Sequence, residues 1–171
     1  MKLGPHCNDG SAAGKRLALE GESGVVKCVD SFGLAAEVGP GVLTIGRVTR
    51  DWDSFDPNTH HAAGNDPARV AREYVERMRA TIAAHSYIAA WEGANEPHPR
   101  TPDEMRWYAA FEAERAKLVW DNFGRRAVIG NFSTGEPEPD SWQYFQVAFD
   151  AAIQYDGLVG LHAYWGKTVP V

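Results

Sequence analysis

Six short apolar runs, separated by longer stretches of helical periodicity, constrain this chain more than any other feature. They fall at 2–7, 25–29, 42–48, 87–93, 127–132 and 157–163. Most are apolar at successive positions, the pattern of parallel strands covered by helices. Between them, Asp66-Pro67 sets an N-cap residue before a proline at the first helical position. Val70, Tyr74, Met78 and Ile82 then follow at four-residue spacing along one face. Thr101-Pro102-Asp103-Glu104 has the capping-box pattern, ahead of Met105, Tyr108, Phe111, Leu118 and Val119. Asp140 or Ser141 is expected to cap a third helix with Tyr144, Val147, Ala148 and Ala151 on its apolar stripe. Segments 11–20 and 32–38 read as shorter helices.

Six strand–loop–helix repeats with right-handed crossovers make an α/β fold. The two architectures they allow are an open doubly wound sheet and a (β/α)₈ barrel. Gly4-Pro5-His6-Cys7-Asn8, at the first strand, does not fit GxGxxG, which weakens the nucleotide-binding sheet. With no linker or low-complexity tract, residues 1–171 read as a single domain of (β/α)₈ TIM-barrel type, an incomplete barrel of about six βα units.

The net charge of −6 argues against nucleic acid and anionic membrane as partners. No apolar run approaches ~18 residues, so no transmembrane span is expected. The start MKLGPHCNDG lacks an apolar h-region, which fits a cytoplasmic protein or one whose leader has been removed. Cys7 and Cys28 read as buried thiols, since two cysteines make neither a disulfide framework nor a zinc site.

Function in parallel α/β folds gathers at the C-terminal ends of the strands. Those ends carry His6 and Asn8, Asp30, Arg47, Asn95 and Glu96, Asn131 and Ser133, and His162 and Tyr164. Glu96 is the leading candidate. A carboxyl group there acts as a proton donor when burial or a neighbouring carboxylate raises its pKa, and Pro97 stiffens the exit. Taken alone, Asn95-Glu96-Pro97 is equally a plain strand-to-loop junction.

Trp91-Glu92-Gly93-Ala94-Asn95-Glu96-Pro97 resembles the fourth-strand signature of clan A glycoside hydrolases, the retaining (β/α)₈ glycosidases. VIGNFSTGEP at 128–137 looks like the fifth strand and its loop, and DGLVGLHAYW at 156–165 like the sixth-strand His-x-Tyr pattern. The resemblance implies that Glu96 is the general acid/base and that Asn95 contacts the sugar 2-hydroxyl. It implies that Tyr164, beside His162, hydrogen-bonds the nucleophile. Arg47 and His6 are expected to line the same pocket, and Trp165 to serve as a sugar platform. No cofactor and no metal are implied, and the partner is an oligosaccharide, polysaccharide or glycoside.

The clan's nucleophile is a glutamate ending a seventh strand, whereas no carboxylate follows Tyr164 here. Glu136 and Glu138, in the loop after the fifth strand, face the correct end but read as ordinary surface charges, and Asp30, ending the second strand, is not favoured as a substitute either. The chain is therefore expected to lack normal turnover alone, and to be a fragment or to self-associate through its open edge strands. The alternatives are a non-catalytic carbohydrate-binding or scaffold protein with a degenerate pocket, and another α/β enzyme in which the tripeptide is coincidental. Segment 49–65 reads as a long loop, in which Trp52 and Phe55 stack on sugars or cover the rim. His60-His61 lacks a third patterned ligand for a metal. Trp142 is a weaker platform candidate than Trp165, and Trp107 and Trp120 are expected to pack.

Overall fold

The computed structural model describes residues 6–7, 12–21, 23–49 and 55–162. Strands β1 (His6–Cys7), β2 (Val25–Val29), β3 (Leu43–Arg47), β4 (Ala90–Glu92), β5 (Arg126–Phe132) and β6 (Leu158–Leu161) form one sheet in the order of the chain. Every neighbouring pair is parallel. A doubly wound sheet reverses its order at a switch point; this one never does. The result is an α/β half-barrel sheet, consistent with an incomplete barrel.

Helices α1 (Ala12–Glu20), α2 (Gly33–Glu37), α3 (Pro57–Ala62), α4 (Pro67–Ala84), α5 (Pro102–Phe123) and α6 (Gln146–Gln154) connect the strands. The Asp66 side chain accepts from the Arg69 N–H, and α4 buries Val70, Tyr74, Met78 and Ile82 as its spacing foretold. Thr101 and Glu104 form the reciprocal capping box of α5, which closes at Gly124 in the left-handed region with φ 60°. These helices cover the outer face of the sheet, where Val26, Cys28, Trp91, Ala127 and Ile129 join Tyr74, Met78, Tyr108, Phe111 and Phe145 in one core. The Cys7 side chain lies outside the described residues.

Two expectations need correction. Asp140 and Ser141 lie inside a 3₁₀ helix, Pro139–Phe145, and α6 begins only at Gln146 with no side-chain cap. The tighter 3₁₀ turn rotates the helix face, so Ala148, Ala151 and Ala152 are buried while Val147 is half exposed. Segment 49–65 is not all loop: α3 lies within it, its N-cap Asp56 accepting from the N–H groups of Asn58 and Thr59. Phe55 stacks on Phe111 and meets Tyr74 edge-on, so it packs beneath the helices. His60 lies between Phe55 and the buried Trp107. Trp120 is partly exposed on α5, and Trp142 joins an aromatic group with Phe132, Phe145 and Phe149. Trp52 lies outside the described residues. Among those described, no helix is long and apolar enough to cross a membrane. Val159, Leu161 and Ile153 are exposed along the β6 edge.

A buried polar network joins α5 to the sheet. Arg115 and Glu112 are 1% and 0% exposed and lie 2.6 Å apart. The Arg115 guanidinium also donates to the carbonyls of Val128 (2.6 Å) and Trp91 (3.3 Å). The Tyr108 hydroxyl is within reach of Glu112 Oε1 at 2.7 Å and the Gly130 carbonyl at 2.9 Å. Gly93 is required here, since a Cβ at that position would meet the Arg115 guanidinium at 2.8 Å.

This layer makes a pH prediction. Burial raises the phenol pKa of both Tyr74 and Tyr108, and Glu112 adds to the rise at Tyr108. Both must stay neutral in the fold, while unfolded phenols ionise from about pH 10. The stability they hold below that value is lost as pH rises, by up to about 1.4 kcal/mol per pH unit for each group. Lys27, lowered by burial, has the opposite sign, and its contribution ends near its unfolded value of about 10.5. Tyr74→Phe should flatten the alkaline limb of urea stability by one group. An unchanged slope would show that Tyr74 ionises as freely in the fold as out of it.

Candidate active site

The inner face of the half-barrel is polar at the C-terminal ends of the strands. Lys27 points inward from β2, Arg47 from β3 and Glu92 from β4, flanked by the outward-facing core residues Cys28 and Trp91. Their side chains are 13%, 13% and 5% exposed. Lys27 Nζ lies 2.8 Å from Glu92 Oε2 in an ion pair. Arg47 Nη1 stands 4.0 Å from the same oxygen and donates to Asn95 Oδ1. Burial lowers the Lys27 ammonium below its ordinary value; Glu92 opposes this, and Arg47 reinforces it. A lone buried carboxylate among these residues would be expensive, and the two cations offset that cost.

Above this layer sit Glu96 and His162. Glu96 follows β4 and adopts φ 49°, with its N–H donating to the Asn131 carbonyl at 3.1 Å. His162 follows β6, its N–H donating to the Phe132 carbonyl at 2.8 Å while the His162 carbonyl accepts from Thr134 Oγ1. The imidazole Nδ1 is 3.1 Å from Glu96 Oε1, and its Nε2 is 3.3 Å from Lys27 Nζ and 3.9 Å from Glu92 Oε2. His162 is 8% exposed and Glu96 28%, so Glu96 faces the mouth while its partner lies below it. Asn95 is exposed beside it.

Three rim residues other than glycine occupy the left-handed region: Asp30 (φ 56°), Glu96 (49°) and Asn131 (52°). Asp30 directly follows β2, Glu96 lies beyond the end of β4, and Asn131 sits inside β5 at a shift in its register with β6. Such conformations cost on the order of 1–3 kcal/mol and gather at functional sites. Asn131 is fully buried and packs so closely on Gly160 that a Cβ there would lie 2.1 Å from its Oδ1.

Of the residues expected to line the site, the fold brings together Glu96, Asn95, Arg47 and His162. His6 is placed only by its backbone, in register with Lys27, and Tyr164 and Trp165 lie outside the described residues. Asp30 accepts from both the N–H and the hydroxyl of Thr49, which makes it a loop anchor. Glu136 pairs with His98 Nδ1 at 3.0 Å, and Glu138 is exposed. Lys27 and Glu92 were not foreseen as site residues. Their signal was a single charge in each of two runs otherwise fit for an apolar strand. No family model, curated protein or solved structure matches the chain.

Proposed function

We propose that this chain belongs to a glycoside hydrolase of (β/α)₈ type acting with retention, in which Glu96 is the general acid/base. The reading is carried by the 3.1 Å contact between His162 Nδ1 and Glu96 Oε1. It joins two motifs 66 residues apart that suggested the same pocket independently. Support also comes from Asn95, oriented by Arg47 beside the acid where a sugar hydroxyl would lie.

Retention needs two carboxyl groups about 5–5.5 Å apart, one to protonate the leaving oxygen and one to attack the anomeric carbon. Glu92 is not suited to attack: it is 5% exposed and paired with Lys27 beneath the imidazole. Its role is to balance the charge of Lys27 and Arg47, and the attacking carboxylate is a group other than Glu92. Arg47 holds the Asn95 amide so that its donor groups are free to turn toward substrate.

The test is stereochemical. Aryl β-glucosides, β-xylosides and β-mannosides are supplied to the polypeptide bearing this chain, and the first-formed sugar is read by proton NMR. A β-anomer that later mutarotates is expected. Initial release of the α-anomer contradicts retention, and saturable saccharide binding without cleavage identifies a binding module instead.

A further inference from the structure

The charged groups that face the His162 ring bear on where its proton resides. Glu96 Oε1 faces Nδ1 at 3.1 Å, while Lys27 Nζ at 3.3 Å and Glu92 Oε2 at 3.9 Å face Nε2. Arg47 stands behind, 4.0 Å from Glu92. A lysine ammonium has three donors and no acceptor, and Glu92 at 2.8 Å favours that charged form against burial. With Nζ donating, Nε2 must offer its lone pair, and a neutral ring then carries its proton on Nδ1. A doubly protonated ring would set an N–H directly against the ammonium.

We infer that Lys27 and Glu92 are positioning residues that fix His162 as the Nδ1–H tautomer, and thereby determine which oxygen of Glu96 carries the catalytic proton. The inference deepens the reading of Glu96 as acid/base and rests on it. A neutral carboxyl group accepts at its carbonyl oxygen and donates from its hydroxyl. Nδ1–H occupies Oε1 as acceptor, so the proton resides on Oε2. As the attacking carboxylate bonds to the anomeric carbon, the Oε2–H bond breaks, its proton passes to the leaving oxygen, and the glycosidic C–O bond cleaves. In the second half, water bonds to that carbon, displaces the carboxylate and returns a proton to Oε2. His162 donates to Oε1 throughout and keeps its protonation state. It orients the acid without relaying the proton.

The experiment needs no turnover. The protein is labelled with ¹⁵N-histidine, and ring nitrogens are read by long-range proton–nitrogen correlation at neutral pH. His162 is identified among the six histidines by the signals lost in His162→Asn. A pyrrole-type Nδ1 and a pyridine-type Nε2 are expected. Lys27→Met should exchange the two shifts, because the ring then reverts to the Nε2–H form that free histidine favours. The paired variant Lys27→Met/Glu92→Leu should do the same without leaving a buried carboxylate uncompensated. Nε2–H in the unaltered protein, or Nδ1–H persisting in either variant, overturns the inference. Neither readout depends on hydrolysis, so failure of the acid/base assignment would show separately in the rates of Glu96 variants.

Discussion

Glu96→Gln is expected to slow hydrolysis of a glycoside with a poor leaving group by about 10²–10⁴-fold, the usual contribution of a positioned general acid or base. Glutamine matches the size of the carboxylate, and its amide oxygen still accepts from His162 Nδ1 at the position of Oε1. What it lacks is the proton. An activated aryl glycoside needs no help in departing, so its first step should survive and its second should stall. Azide, a nucleophile that requires no general base, should then restore turnover and give a glycosyl azide. Thermal melts should stay near those of the parent, since the φ of 49° is kept and no buried contact is removed. Unaltered hydrolysis of the poor-leaving-group substrate would remove Glu96 from the acid/base role.

Arg115→Met should destabilise the fold by about 3–5 kcal/mol, the cost of stranding a buried charge. The change leaves Glu112, 0% exposed, without its cation and deprives the Val128 and Trp91 carbonyls of their shared donor. Trp91 immediately precedes Glu92, so the loss also loosens the strand that presents the site. Replacing Glu112 by Leu in the same protein should recover part of the loss, because an apolar pair carries no desolvation cost. Urea denaturation of the single and double variants measures both steps. Additive losses would mean that the two side chains act independently despite their 2.6 Å contact.

Much of this fold was legible in the sequence. The strands at 25–29 and 43–47 and the capped helices at Pro67 and Pro102 lie close to where apolar runs and N-cap–proline pairs placed them. The pairing of Glu96 with His162 was foreshadowed because both end strands of one parallel sheet. Lys27 and Glu92 escaped for a physical reason. A strand buried on both faces gives an apolar run whichever side meets the helices, so the run does not tell which face lines a polar interior. Val26 and Cys28, flanking Lys27, face the helix layer, and only the closing sheet brings Lys27 within 3 Å of a carboxylate from β4. Helix α3 was missed for a lesser reason: Asp56-Pro57 repeats the signature of Asp66-Pro67 in a segment judged by its length.

The left-handed backbone at Asp30, Glu96 and Asn131 sets backbone comfort against side-chain contacts at the same three positions. Glycine is the relaxed occupant of such a conformation, and each of these residues keeps a side chain that the backbone alone would not choose. Laboratory evolution scored only on heat resistance would therefore drift toward glycine at the mouth of the barrel. It would reach a more relaxed backbone by discarding the contacts these side chains make to Thr49, His162 and Val128. Engineering of this domain has to look for its reserves elsewhere, in the helix layer and along the β6 edge, and leave the uncomfortable rim as it is.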